Sequence, residues 1–235
     1  VNLGLKPRAI WLMSKAIILL SGGLDSTTVL AIAKEQGYEC YVLSFDYGQK
    51  QRSELESSKK IANKFEVSEH RIMKISLNDI GGSALTDKNI SIPKYSDSNE
   101  IPITYVPARN TIFLSFALAW AEVIDCQNIF IGVNALDYSG YPDCRSEFIK
   151  AFEDMANLAT KQSVEGDKIN ILTPLISWTK AQIIQKGLDL GINYSETISC
   201  YDANANGEAC GECDACVLRR NGFIKAKFND PTRYQ

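Results

Sequence analysis

Histidine is almost absent from this chain of 235 residues. His70 stands alone, which excludes a two-histidine zinc site and an HExxH hydrolase, and allows a Ser-His-Asp triad only if His70 serves it. It falls between a strand and a polar loop, where a surface role fits better than catalysis. A long apolar run is missing too. The closest, Ile112 to Ile124, is interrupted by Ser115 and Glu122 and reads as a buried helix, not as the ~20 residues of a membrane span. Positive charge is not in excess: 25 Lys and Arg stand against 28 Asp and Glu, for a net charge of −3. Tight, sequence-independent nucleic-acid binding leans on such an excess, so no direct nucleic-acid partner is expected. Neither GxxxxGK[ST] nor GxGxxG occurs, so the Walker A loop and the dinucleotide fingerprint are both out.

What is present is ordinary for a globular protein, with 45% apolar and 23% charged residues. Residues 1–12 precede Met13-Ser14-Lys15, which looks like a natural beginning, and they read as an optional extension. A secretory signal fits poorly because Lys15 splits the apolar stretch. Seven cysteines, an odd number, cannot all enter a disulfide framework, and a cytoplasmic protein is expected.

From Lys15 onward apolar runs alternate with helical patterns. Lys15 to Leu20, Glu39 to Asp46, Glu69 to Ser76, Asn128 to Val133 and Ile169 to Leu172 read as strands. Ser26 to Gln36, Lys50 to Lys64, Arg109 to Val123, Arg145 to Thr160 and Lys180 to Leu190 read as helices. This alternation predicts an α/β fold in which a parallel sheet is sandwiched by helices, because each parallel crossover needs a helix-length connection. Ligands then sit at the carboxyl ends of the strands. Leu77 to Ala108 breaks the rhythm with Gly81-Gly82 and three prolines, and reads as a lid or a solvated insertion.

Three stretches carry chemistry. Ser21-Gly22-Gly23-Leu24-Asp25-Ser26-Thr27-Thr28 joins the first strand to the first helix. Its glycines admit a ligand close to the backbone, and its amides and hydroxyls collect at a helix amino end, a cradle for phosphate. Asp25 alone would repel that phosphate. Either Mg²⁺ bridges the two, or Asp25 only caps the helix. Cys200, Cys210, Cys213 and Cys216 have spacings that close a tetrahedral zinc site. An iron–sulfur cluster is the rival, but the x3-C-P continuation is missing, and redox disulfides are a third option. Arg219 and Arg220, directly after the cysteines, are expected to face solvent. The third stretch, Asp137 to Arg145, offers Tyr138, Tyr141, Asp143 and Arg145 for a planar heterocycle, or else forms a turn on Gly140 and Pro142. Cys144 within it, lacking a histidine partner nearby, is expected to be non-catalytic.

The glycine-rich loop resembles the pyrophosphate-binding loop of the ATP pyrophosphatases. FDYGQKQRSELE (Phe45 to Glu56), TYVPARN (Thr104 to Asn110), DYSGYPDCR (Asp137 to Arg145), TPL with a following lysine (Thr173 to Lys180) and CGECDACVLRRNGF (Cys210 to Phe223) narrow the resemblance to the 7-cyano-7-deazaguanine synthase family. It covers Lys15 to about Phe228. Relatives often carry Gln where this chain has Leu24, and Gly where it has Ala108.

The resemblance implies an adenine-nucleotide alpha-hydrolase-like, Rossmann-like domain over residues 13–195. A zinc-binding segment, residues 196–235, would pack on that domain. It implies ATP on Leu20, Ser21, Gly22, Gly23, Leu24, Asp25, Ser26, Thr27, Thr28, Val29 and Leu30. Asp25 would be catalytic, and Tyr138, Tyr141, Asp143 and Arg145 would contact substrate. Arg109 and Lys180 each open a predicted helix after a loop at the expected ligand rim and are the further catalytic candidates, cations placed to stabilise departing pyrophosphate; a lysine at a helix start favours an anionic partner. The implied activity is an ATP-dependent ligase making 7-cyano-7-deazaguanine from 7-carboxy-7-deazaguanine and ammonia, a step toward queuosine-type tRNA modification. A homodimer is implied as well. A tRNA thiolase and a zinc-knuckle module holding nucleotide only as a regulatory ligand are the alternatives.

Overall fold

The runs of branched apolar residues do become strands. A computed structural model of the protein describes residues 13–96, 100–136, 140–204 and 206–235. Strands β1 (Lys15–Leu19), β2 (Glu39–Asp46), β3 (Glu69–Lys74), β4 (Asn128–Phe130) and β5 (Asn170–Leu172) form one sheet of order β3-β2-β1-β4-β5. Every pairing is parallel, with Ile17 facing Tyr41 on one side and Ile129 on the other. The helices are α1 (Leu24–Glu35), α2 (Ser53–Lys64), α3 (Arg109–Ile124), α4 (Ser146–Ala159), α5 (Lys161–Glu165), α6 (Lys180–Asp189) and α7 (Asp214–Ala226). Among the described residues, no helix is long and apolar enough to cross a membrane.

Strand side chains alternate between two cores, as the pleat requires. Ala16, Ile18, Val42 and Phe130 pack with residues of α1, α2, α6 and α7. Ile17, Leu19, Leu43, Phe45 and Ile129 pack with residues of α3 and α4 on the other face. Both faces are therefore covered, as parallel sheets demand. Leu77, Leu85 and Val106 of the irregular segment join this second core. Its backbone is tied down, with Lys50 N–H donating to Leu85 O and Tyr95 N–H to Glu212 O.

Strand order reverses at β1, whose neighbours are β2 and β4. The chain leaves the carboxyl ends of β1 and β4 in opposite directions, opening a crevice between them. The glycine-rich loop lies at that crevice. At its other flank Ala108, the residue before α3, holds φ 54° in the left-handed region.

Candidate active site

The glycine-rich turn starts α1 without a side-chain cap. Gly23 is the N-cap and offers no side-chain cap, so the first-turn amides of Asp25 and Ser26 have no acceptor within the helix. Gly22 has φ 92°, and a Cβ there would lie 2.3 Å from the Glu54 carbonyl oxygen. The turn is thus pressed onto the first turn of α2. Ser21 and Ser26 hydroxyls stand 3.0 Å apart, and Ser21 Oγ accepts from Gly23 N–H. Thr27 and Thr28 turn inward: their hydroxyls donate to Gly23 O and Leu24 O, and Thr28 also meets the Tyr194 hydroxyl. Val29 and Leu30 belong to the core. Of the predicted ATP-binding stretch, Leu20, Ser21, Gly23, Leu24, Asp25 and Ser26 line a cavity of about 210 Å³, while Gly22, Thr27, Thr28, Val29 and Leu30 support it from behind.

Lys180 reaches this loop from the first position of α6. Its Nζ donates to both Asp25 oxygens at 2.8 Å, with only 8% of its side chain exposed and 18% of that of Asp25. A helix start disfavours a cation, and the Asp25 carboxylate is the anion that offsets this. Thr179 and Gln182 fix the turn reciprocally as a capping box.

Arg109 enters the cavity from the first position of α3. Burial works against its charge, but Tyr47, Cys144, Asp143 and Tyr141 around it hold its pKa above the ordinary arginine value. Glu54, from α2, shares the same wall. Desolvation pushes its carboxyl up to about 7, with Arg109 pulling the other way. Phe45 stacks on Phe113 at 3.9 Å beside Tyr47, giving the cavity a flat aromatic side.

The third stretch divides. Tyr141 lines the cavity, its hydroxyl 2.7 Å from Thr104 Oγ1. Asp143 is buried behind it, accepting from Asn110 N–H at 2.9 Å and so anchoring the start of α3. Arg145 is exposed and donates to Pro142 O. Tyr138 lies outside the described residues. Cys144 lines the cavity, but burial pushes its thiol up to about 12, which leaves it protonated and a poor nucleophile.

Sequence reasoning missed several cavity residues, Glu54, Tyr47 and Ser199 among them. Glu54 and Tyr47 sit inside the FDYGQKQRSELE run, and their only signal was membership in it. Ser199, immediately before the first clustered cysteine, also lines the wall and stands 3.5 Å from Leu24 N.

Cys200, Cys210, Cys213 and Cys216 come together as the spacing predicts. Their sulfurs all lie within 4.8 Å of one another, and the group can hold a metal ion. The thiols of Cys200 and Cys216 hydrogen-bond Cys213 and lower it. Backbone N–H groups of Asp202 and Cys210 donate to the Cys200 sulfur. Cys200 and Tyr201 also line the cavity, so the cluster abuts the glycine-rich loop. Arg219 corrects an expectation. It is 3% exposed, not solvent-facing, donating to Asp230, Thr197 Oγ1 and the Tyr194 carbonyl. The face of α7 that packs on α6 takes Arg219 inward, while Arg220 stays exposed over the Tyr234 ring.

Residues 15–227 match the model of the family described as Queuosine biosynthesis protein QueC. The chain belongs to this family. Curated relatives of this QueC chain include the protein named 7-cyano-7-deazaguanine synthase of Vesicomyosocius okutanii subsp. Calyptogena okutanii (strain HA), 69% identical over 221 residues, which cover 94% of this chain and 96% of that one. A protein of the same name from Coxiella burnetii (strain RSA 331 / Henzerling II) is 58% identical over 222 residues, 94% and 98% of the two chains. Among solved structures, NMN synthetase from Francisella tularensis matches with a TM-score of 0.52 and 17% identity, over 93% of this chain and 79% of that one. A 4-thiouridine synthetase in complex with RNA and bound ATP matches at 0.51 and 17%, over 90% and 53%. At these identities the structural likeness is one of fold.

Proposed function

We propose that the chain is an ATP-dependent carbon–nitrogen ligase that converts 7-carboxy-7-deazaguanine and ammonia to 7-cyano-7-deazaguanine through adenylated intermediates. The observation that carries this reading is one cavity where uncapped α1 amides, Asp25 with Lys180 bonded to it, and Arg109 meet an aromatic wall. A carboxylate is a poor electrophile, and transfer of AMP gives it a good leaving group. The substrate carboxylate attacks the α-phosphorus while the α1 amides, Lys180 and Arg109 stabilise the departing pyrophosphate. Ammonia then forms the amide. A second activation, at the amide oxygen, lets that oxygen leave and the nitrile form. Tyr141 and the Phe45–Phe113 stack supply faces for the deazapurine, with Asp143 and Arg145 in the surrounding loop.

Asp25 fits a role beside Mg²⁺, which is bound by one or two carboxylates together with substrate phosphates. Asp25 would hold the ion, whose charge would offset that of the triphosphate, and Lys180 would then be shared between Asp25 and pyrophosphate. The four cysteines fit Zn²⁺. A tetrahedral ion ~2.3 Å from each sulfur sets sulfurs ~3.8 Å apart, and Cys210 lies 3.5 Å from Cys200 and 4.0 Å from Cys216. Zinc there is structural, holding residues 196–235 against the α/β domain. We place the enzyme in the cytoplasm as a homodimer acting on small molecules.

A thiolase needs a reactive cysteine pair outside a closed metal site. Burial raises Cys40, Cys126 and Cys144, which disfavours that reading. The test is incubation with the carboxylated deazaguanine, ammonium, ATP and Mg²⁺, with mass analysis of the product. The nitrile is expected; unchanged substrate refutes the proposal.

A further inference from the structure

Resting on that reading, we propose that Glu54 is the base that takes a proton from ammonium and delivers ammonia to the activated carboxyl carbon. At neutral pH the nitrogen donor in water is mostly ammonium, which has no lone pair to attack with. Some group in the cavity must both attract the cation and remove its proton.

Glu54 is placed for both tasks. It lies in the first turn of α2, pressed against the phosphate loop by the close approach of Gly22 to its carbonyl oxygen. Glu54 lines the same cavity as Asp25 and Arg109. Among the described residues it accepts no hydrogen bond, and the charged group acting on it is Arg109, from α3. Tyr47, from the loop after β2, feels its charge as well. The other carboxylates nearby are committed: Asp25 to Lys180, and Asp143 to the α3 amide of Asn110.

Arg109 identifies which end of the substrate Glu54 meets. A guanidinium in this cavity draws the reacting carboxylate and its phosphate leaving group. A carboxylate within the field of Arg109 therefore faces the reacting end, not the distant edge of the heterocycle. Desolvation raising its pKa to about 7 suits a base that must gain and release a proton in each cycle near neutrality.

The step balances. Ammonium gives a proton to Glu54 and becomes ammonia. The nitrogen lone pair forms the C–N bond at the acyl carbon, and the C–O bond to AMP breaks, with that electron pair leaving on the phosphate oxygen. The nitrogen loses a second proton to the departing phosphate or to water, and Glu54 returns its own to solvent.

The experiment compares the parent with Glu54→Gln and Glu54→Asp in two assays. ATP–pyrophosphate exchange driven by the carboxylated deazaguanine reports activation and needs no ammonia. Its absence in the parent would count against the proposed function itself. In Glu54→Gln, exchange is expected to stay within about threefold of the parent, while amide formation from ammonium falls about 100-fold or more at neutral pH. The parent's acid limb near pH 7 should vanish, leaving a rate that rises tenfold per pH unit with free ammonia. Hydroxylamine, a neutral nucleophile at this pH, should restore near-parental turnover to the hydroxamate. Glu54→Asp should retain the limb at a reduced rate. Loss of exchange in both variants would place Glu54 in substrate binding or folding and overturn the proposal. So would amide formation and a pH profile unchanged in Glu54→Gln.

Discussion

Removing the charge of Asp25 while keeping its shape should separate what the Asp25–Lys180 pair does for the fold from what it does for the chemistry. Asp25→Asn removes one carboxylate from beside the Lys180 ammonium, whose side chain is 8% exposed. Breaking a buried pair from one side costs about 3–5 kcal/mol. Asp25 is 18% exposed toward the cavity, so water takes part of the load and about 2–3 kcal/mol is the better figure. For a chain of this size that lowers Tm by roughly 5–10 °C. Lys180→Met should cost about the same. The double variant should recover more than half of the summed loss, because the two interacting charges are then removed together. Activity follows another rule: each variant should lose carboxylate-dependent ATP–pyrophosphate exchange by about 100-fold or more, and the double variant should not regain it. Gly222→Ala perturbs the pair without touching either charge. Its new Cβ would lie 2.3 Å from Lys180 Cγ, so it should cost about 1–3 kcal/mol by overpacking and slow exchange as well. Thermal melts of the ligand-free protein with exchange rates decide the matter. If Asp25→Asn melts with the parent and the cycle shows no coupling, the pair does not organise this loop.

Ala108 holds a left-handed conformation that costs a residue with a Cβ about 1–2 kcal/mol; Ala108→Gly should raise Tm by roughly 2–4 °C in a thermal melt without altering exchange. Arg219→Met should destabilise the chain by about 3–5 kcal/mol in chemical denaturation, and Arg219→Lys should rescue little, because the guanidinium bonds Asp230, Thr197 and Tyr194 in separate directions. Burial pushes the Asp230 carboxyl up, but Arg219 and the Tyr234 and Thr232 hydroxyls hold it below its ordinary value. The stability it contributes is present above the unfolded aspartate value and lost as pH falls through the lower folded one. Acid unfolding below about pH 4 should therefore be shallower in Arg219→Met. Cys213→Ser, or a strong chelator, should remove about one zinc per chain by elemental analysis and lower Tm; stoichiometric iron with acid-labile sulfide would contradict the zinc assignment.

The strands were legible because a doubly covered parallel sheet is written as short, branched, apolar runs, and β1 and β2 show this directly. The glycine-rich turn and the gathering of the four cysteines were legible because each is contiguous or nearly so. Contacts made only by folding were not. Asp25 and Lys180 lie 155 positions apart, and the sequence hint was no more than a lysine misplaced at a helix start. Which of Arg219 and Arg220 turns inward depends on how α7 meets α6, since neighbours on a helix point about 100° apart. Glu54 read as one more charge on a polar helix, and only the approach of Gly22 puts that turn against the cavity.

The central claim is that oxygen leaves the substrate carboxyl group on AMP, twice. Substrate labelled with heavy oxygen at both carboxyl positions tests this most directly, by mass spectrometry of the nucleotide products. The account predicts two AMP per nitrile, each carrying one heavy oxygen in its phosphate; ADP, or AMP without the label, would contradict it.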